Sequence, residues 1–391
     1  MEILCVNCGS SSLKFAVYRC EDGMEHQYVQ GAVEGVSTGH GRLWIQRSTD
    51  PLPQELSQAC HSHSEAFDAA MNSLARLDLP PWAAIGHRVV HGGKHFYRPQ
   101  LVDAPLLTTL QSLVPFAPLH MPPQIAAIEA AKRRFPDSLH VACFDTAFFR
   151  QMPEIAQRYP LPSSLCDAGV RRYGFHGLSY ESILATHPEA RCGRTIVAHL
   201  GNGCSLTALR DGLPVETTMG FTPAGGVVMG SRSGDLDPGV LIYLMDHLKY
   251  GPRDIERLVN QESGLKGISG LTSEMHTLLS AQSTNPQAAL AIDIYCHSIR
   301  KQVGAFAAVL GGLDRLIFTA GIGERAAAVR RQICQGLEYL GIEWNESANL
   351  RGERRISSAH SRIAVEVIAT NEQQVIARHC AAFISTGTTR S

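Results

Sequence analysis

Ile3-Leu-Cys-Val-Asn7-Cys-Gly9-Ser10-Ser11-Ser12-Leu-Lys14-Phe-Ala-Val-Tyr18 is an apolar run, a knot of Gly and Ser, and a second apolar run. The pattern returns at His199-Leu-Gly201-Asn202-Gly203-Cys-Ser205-Leu206-Thr-Ala-Leu209, behind another apolar stretch that begins after Arg194. Each copy reads as strand, tight turn, strand. A turn rich in Gly, Ser and Asn can aim several backbone N–H groups and hydroxyls at one anion. Two copies predict two facing phosphate cradles.

Length and charge bound what the cradles serve. A chain of 391 residues exceeds what one core usually fills, so two domains related by internal duplication are expected. The formal net charge is −1 and no basic run stands out, which removes the electrostatic footprint of a nucleic-acid binder. The phosphate is therefore expected to be a small ligand's. Met1-Glu2 runs directly into a strand, and no apolar stretch is long enough to span a bilayer, so a cytoplasmic protein without a membrane partner is expected. Eleven cysteines, an odd number without framework spacing, fit a reducing compartment. Cys5 and Cys8 fall on opposite faces of a strand, and Cys60-His61-Ser-His63 lacks a fourth ligand. That tract reads as a surface segment, and no structural metal is expected.

A coarse pass gives strands over 2–6, 13–19, 27–36 and 42–48, an antiparallel meander. A helix over 65–77, a strand over 83–86, a helix over 123–134 and a strand over 139–144 turn the pattern to alternating βα. After a loop region at 153–173 the cycle restarts with strands over 194–200, 206–210 and 214–219. Helices follow at 237–248 and from Asn285-Pro286 to just before Gly311-Gly312. A strand over 316–319 runs into Gly321-Ile-Gly323, a third glycine turn, and then a helix over 325–340 with Val329, Ile333, Leu337 and Leu340 on one face. A strand over 363–369 leads to Asn371, an N-cap for a last helix with Val375, Ile376, Cys380 and Phe383 inward. That helix is expected to return to the first domain, giving domains of 1–149 with 376–391, and 150–375.

Eight fragments in order carry a resemblance: Asn7-x-Gly-Ser-Ser-Ser-x-Lys14, Gly86-His-Arg88-Val-Val-His-Gly-Gly93, Phe144-Asp145-Thr-Ala-Phe148, Arg172-Tyr-Gly-Phe-His176-Gly177, His199-Leu-Gly-Asn-Gly203, Met219-Gly-Phe-Thr-Pro223, Gly230-Ser-Arg232-Ser-Gly-Asp235 and Thr370-Asn-Glu372. Together they resemble the acetate kinase family from end to end. The resemblance implies an α/β, duplicated actin-like (ribonuclease H-like) ATPase fold of two domains, with ATP in an interdomain active-site cleft, and a homodimer formed through the second domain. It implies reversible transfer of the ATP γ-phosphoryl group to acetate, with Mg²⁺ as cofactor and Mn²⁺ as the alternative.

A carboxylate needs no base at neutral pH, so alignment and charge neutralisation carry such a reaction. The resemblance makes Arg88 and Arg232 the binders of substrate and transition state, and planar guanidinium forks suit acetate and phosphoryl oxygens. It makes His176 a donor to the transferring group. Asp145, at a strand end, is assigned to orienting an arginine or the metal shell. Glu372, otherwise a helix first-turn carboxylate, becomes the Mg²⁺ anchor, with Asn7 beside it. Asn7, Ser10, Ser12 and Lys14 resemble the first phosphate loop, and His199, Asn202 and Gly203 the second. Gly321, Gly323 and Arg325 match the adenosine site, and Val90, Leu119, Phe175 and Pro223 the acetyl pocket.

Departures cluster near the site. Arg325 stands where Asn is common in the family, Met121 replaces an Asn, Leu178 and Tyr180 replace Thr and His, Lys94 replaces a Glu, and Ala224-Gly225 replaces Leu-Glu. A propionate-preferring enzyme, a pyrophosphate-using variant and a non-catalytic nucleotide sensor of the same fold are the competing readings.

Overall fold

The computed structural model describes residues 1–38 and 40–387. The chain divides into two compact units, Met1–Arg150 together with the segment from Asn371 onward, and Gln151–Thr370.

The first unit is built on eight strands: β1 (Glu2–Cys8), β2 (Ser12–Glu21), β3 (Met24–Glu34), β4 (Arg42–Arg47), β5 (Gln54–Ser57), β6 (Ala84–Val89), β7 (Gln100–Leu101) and β8 (Leu139–Phe144), in sheet order β5-β4-β3-β2-β1-β6-β8-β7. β1 through β4 form the expected antiparallel meander, and β5, which was not expected, pairs antiparallel with β4. β6 then lies parallel to β1, with Val6 beside His87, and β8 parallel to β6, with Val89 beside Phe144. Central β1 is apolar on both faces from Ile3 to Val6, as a strand covered on both sides must be. One face packs Leu4, Val6, Phe15, Val17 and Ile85 against Phe67 and Leu74 of helix His63–Ala75 and Ala127 and Ala131 of helix Met121–Arg134. The first of these helices begins two residues before the expected 65, because Ser62 Oγ accepts from the Glu65 N–H and the Glu65 carboxylate accepts from the His61 N–H.

The helix from Glu372 covers Gly86. A Cβ on Gly86 would stand 2.3 Å from Ile376 Cγ2 and 2.7 Å from Cys380 Sγ, so glycine is what lets this helix lie against β6. The chain returns to the first unit at Asn371, earlier than the expected 376. Asn371 Oδ1 both caps the helix through the Gln374 N–H and accepts from Tyr18 Oη on β2.

The second unit repeats the plan. Strands β9 (Arg194–Leu200), β10 (Cys204–Arg210) and β11 (Leu213–Thr217) form an antiparallel meander. β12 (Arg315–Thr319) lies parallel to β9, and β13 (Ala364–Val367) parallel to β12. The order β11-β10-β9-β12-β13 is that of β3-β2-β1-β6-β8. The duplication is therefore one of topology, the arrangement of the actin-like fold. Helix Pro286–Leu310 begins where Asn285 Oδ1 accepts from the Gln287 and Ala288 N–H groups and ends at Gly311 with φ 69°. It buries Ala291, Ile292, Tyr295, Ile299, Val303 and Phe306 along one stripe.

Two expectations are corrected here. The helix expected over 325–340 is instead Ala320–Arg325, Ala327–Cys334 and a 3₁₀ turn Glu338–Leu340, interrupted at Gly336 with φ 92°. Val329, Ile333 and Leu337 are nonetheless buried, so apolar spacing survives a break that glycine permits. The presumed loop at 153–173 contains short helices Glu154–Gln157 and Ser163–Asp167. No helix among the described residues is long and apolar enough to cross a membrane.

Candidate active site

The first unit gathers four of the expected residues at the ends of β1, β6, β8 and the last helix. Arg88, one residue from the end of β6, donates from Nε and Nη2 to Asp145 at 3.0 and 2.6 Å. Its Nη1 lies 3.2 Å from both Asn7 Oδ1 and Glu372 Oε2, and Asn7 Nδ2 donates to the same Glu372 oxygen at 3.2 Å. Burial would loosen the Arg88 proton, but the charges of Asp145 and Glu372 outweigh it and raise the pKa, so the guanidinium stays charged. Asp145 is 1% exposed, and both of its carboxylate oxygens accept from Arg88. Nε and Nη2 are committed, so Nη1 is the edge Arg88 turns toward Asn7 and Glu372.

The first glycine turn joins β1 to β2, closed by the Gly9 N–H donating to Ser12 O at 2.8 Å. Ser10 and Lys14 are exposed and Ser12 is half-buried. His63 Nε2 stands 2.9 Å from Gly9 O, and Cys60 is 3% exposed. Within the tract read as a surface segment His61 is exposed, while Cys60 is buried and half-buried His63 meets this loop. Val90 is buried just past β6, and its N–H donates to Gln124 Oε1, whose Nε2 donates to Cys8 O. Leu119 lies half-buried ahead of helix Met121–Arg134, and Met121 is wholly buried.

In the second unit, β9 turns into β10 through Gly201–Gly203. A Cβ on Gly203 would sit 3.0 Å from Arg232 Nη1 and 3.5 Å from His176 Nε2, so a guanidinium and an imidazole nitrogen converge on the bare turn. The Gly230 N–H donates to Asn202 O, and a Cβ at Gly230 would meet Asn202 Oδ1 at 2.0 Å; this docks the loop carrying Arg232 onto the turn. Arg232 Nη1 also donates to Pro223 O at 3.2 Å. His176 has φ 60°, a left-handed conformation rare for a residue with a Cβ, at the N-terminus of helix Gly177–Thr186. Its ring stacks on His199 at 4.1 Å, and His199 Nδ1 meets Ser179 Oγ at 2.8 Å. Phe175, next to His176, is 1% exposed, and Pro223 is buried.

The expected glycine turn at Gly321-Ile-Gly323 is corrected. The left-handed residue is Ala320 with φ 65°, and both glycines lie inside helix Ala320–Arg325. Gly321 has nothing within 4 Å of its missing Cβ, leaving bare exposed backbone. Arg325 is exposed at the end of that helix.

The Acetokinase family profile matches residues 2–378. The chain belongs to the acetokinase family. It is 41% identical to the acetate kinase of Rhodopseudomonas palustris strain TIE-1, across 96% of this chain and 97% of that protein. Among solved structures it resembles a propionate kinase from Francisella tularensis, with TM-score 0.89 and 36% identity over 97% and 98% of the two chains. It also resembles Porphyromonas gingivalis acetate kinase, with TM-score 0.85 and 34% identity over 98% and 99%. As a member of the acetokinase family the chain is a phosphotransferase.

Several residues around these acetokinase motifs escaped the sequence reading. Gln124 ties the ends of β1 and β6 together. Glu324 Oε1 accepts from the Ala320 and Thr370 N–H groups, and buried Arg330 donates to Gly323 O, Glu324 O and Asn349, fixing the Gly321–Arg325 segment from beneath. Arg330 is visible in the sequence only as one more helix cation. Its burial, 1% exposed, is what marks it.

Proposed function

We propose that the chain transfers the γ-phosphoryl group of ATP reversibly to acetate, giving acetyl phosphate and ADP by direct in-line displacement. The observation that carries this reading is the convergence of His176 Nε2 and Arg232 Nη1 on the side-chain-free turn at Gly203. That is a donor-rich site for an oxyanion, with its space created by a glycine. In the reaction an acetate oxygen attacks the γ-phosphorus, the bond to the bridging oxygen of ADP breaks, and ADP leaves with the electron pair. Arg88 and Arg232 neutralise the reacting oxyanions and His176 donates to the equatorial oxygens. No enzyme nucleophile takes part.

Glu372 fits Mg²⁺ as an anchor: it is a partly exposed carboxylate with an amide beside it, and Asp145 is already consumed by Arg88. Among the described residues no group of three or more His, Cys, Asp or Glu forms a protein cage. A single carboxylate suits a cation that keeps its waters and shares phosphate oxygens. When bound, the ion withdraws charge from the phosphates. Ser10, Ser12, Lys14, His199 and Asn202 hold the phosphates, and Gly321, Gly323 and Arg325 flank adenosine. Val90, Leu119, Phe175 and Pro223 set acyl size. All eleven cysteines are free thiols, in keeping with the cytoplasm.

A homodimer is supported by helix Pro238–Asp246, which buries none of its residues and exposes Val240, Ile242, Tyr243 and Met245. The propionate reading is favoured by the likeness to the Francisella enzyme.

Steady-state assays crossing acetate, propionate and butyrate with ATP, GTP and pyrophosphate test the proposal. The highest kcat/KM is expected for acetate with ATP. Propionate should fall about 10–200-fold lower, the range for one methylene in an apolar pocket. A reversed acid preference establishes the propionate reading, and no turnover with any pair leaves a nucleotide sensor.

A further inference from the structure

Tyr180 is one of the residues that departs from the family pattern, and the activity above gives it no role. It is wholly buried, one turn into the helix that His176 opens, and its hydroxyl lies 2.5 Å from Ser205 Oγ on β10. Ser205, also wholly buried, lies 2.9 Å from His176 Nδ1. Three side chains from two elements thus form one line: Tyr180 Oη, Ser205 Oγ, His176 Nδ1. The opposite ring nitrogen, Nε2, is the one aimed at the Gly203 turn.

The proton order along this line follows from donor strength. A phenol is the more acidic hydroxyl and the poorer acceptor, so Tyr180 donates to Ser205. Ser205 has one proton, and with an oxygen already accepting from Tyr180 it donates that proton to Nδ1. An imidazole that accepts at Nδ1 carries its proton at Nε2. The three groups of the line are hydroxyls and an imidazole, so the link that sets the tautomer is not itself a carboxylate.

We propose that Ser205 and Tyr180 are positioning residues that hold His176 as the neutral Nε2–H tautomer, keeping a donor pointed at the transferring phosphoryl group. The stack of His176 on His199 fixes the ring plane, and the hydroxyl line fixes which nitrogen bears hydrogen. This rests on the role given to His176 above.

The test uses full-length protein labelled with ¹⁵N-imidazole histidine, the His176 signals being assigned by their loss in His176→Gln. In the parent at pH 8, long-range ¹H–¹⁵N correlations should show His176 protonated at Nε2. Tyr180→Phe removes one oxygen, Ser205→Ala breaks the line, and Ser205→Thr keeps the hydroxyl. Ser205→Ala should convert His176 to a mixture of tautomers and lower kcat 10–100-fold with the KM values for acetate and ATP within about twofold, the signature of a contact made in the transition state. Tyr180→Phe should do the same more weakly, and Ser205→Thr should restore both tautomer and kcat. Parent His176 protonated at Nδ1, or a tautomer unmoved in both Ser205→Ala and Tyr180→Phe, overturns the proposal. A tautomer that shifts while kcat stays at the parent level overturns the phosphoryl-donor role of His176 instead. The spectra therefore separate failure of the relay from failure of the site reading.

Discussion

Arg88 and Arg232 look alike in sequence, each an arginine in a Gly-flanked segment, but the structure gives them different dependents. Asp145 is buried at 1% exposure and held by Arg88, so Arg88→Ala takes the paired cation away from a buried carboxylate. Breaking a buried pair by deleting one partner typically costs about 3–5 kcal/mol. Arg232 is half-buried and donates to the Pro223 carbonyl, a charged-donor bond worth about 1.5–3 kcal/mol net. Both alanine variants should lose activity by orders of magnitude. Arg88→Ala should also unfold at a lower temperature than Arg232→Ala. The double variant Arg88→Ala/Asp145→Ala should regain stability without regaining activity. Calorimetry beside steady-state rates checks this, and a double variant no more stable than Arg88→Ala removes Asp145 as the reason. The motif made all three residues visible. That Asp145 pairs with Arg88 was legible only as one of two options, because direction within a site depends on which strands end side by side.

At the level of elements, the meanders and parallel strands were readable because alternation and apolar runs report burial directly. β5, Gln-Glu-Leu-Ser and exposed throughout, carries no such signal and was missed. The pairing of β6 with β8 also buries histidines whose state periodicity does not reveal. His140 Nε2 bonds Phe135 O, which leaves its Nδ1 to accept from His87 Nε2–H at 3.1 Å. His91, just past β6, accepts the Gly93 N–H at Nδ1, and burial pushes its pKa from 6.5 down to about 4. His87 and His140 are pushed down by burial as well. A depressed histidine pKa means the unfolded chain binds the proton first. Stability is unaffected above pH 6.5 and falls as pH drops from 6.5 toward 4, on the order of 3 kcal/mol for His91 over that window. Urea unfolding at pH 7.5, 5.5 and 4.5 should show His91→Asn losing less stability with acidification than the parent. Parallel losses would mean that His91 is not buried neutral.

For the whole molecule, duplication was legible because the strand–turn–strand phrase recurs, and sheet order repeats it in each unit. Gln124, Glu324 and Arg330, which brace these segments, were not legible: Gln124 and Glu324 act through backbone groups far away in sequence, and Arg330, though its Gly323 carbonyl is near in sequence, is marked only by its burial. The proposed association would leave a different trace. Helix Pro238–Asp246, Pro-Gly-Val-Leu-Ile-Tyr-Leu-Met-Asp, has a mostly apolar sequence suited to a core, yet Ile242 is 60% and Tyr243 53% exposed. Leu236 and Leu248 extend the patch on either side. A soluble monomer rarely leaves so continuous an apolar surface in water, and a second copy of the same helix is its simplest cover, because a twofold interface matches a patch with itself. Each substitution in such an interface is counted twice. Ile242→Glu with Tyr243→Glu would set four carboxylates into one dimer contact, so the parent should sediment as a dimer at micromolar concentration and the variant as a monomer. Far-ultraviolet circular dichroism should be unchanged, since neither side chain is buried within its own chain. A parent that sediments as a monomer, or a variant that remains dimeric, would place the association elsewhere or abolish it.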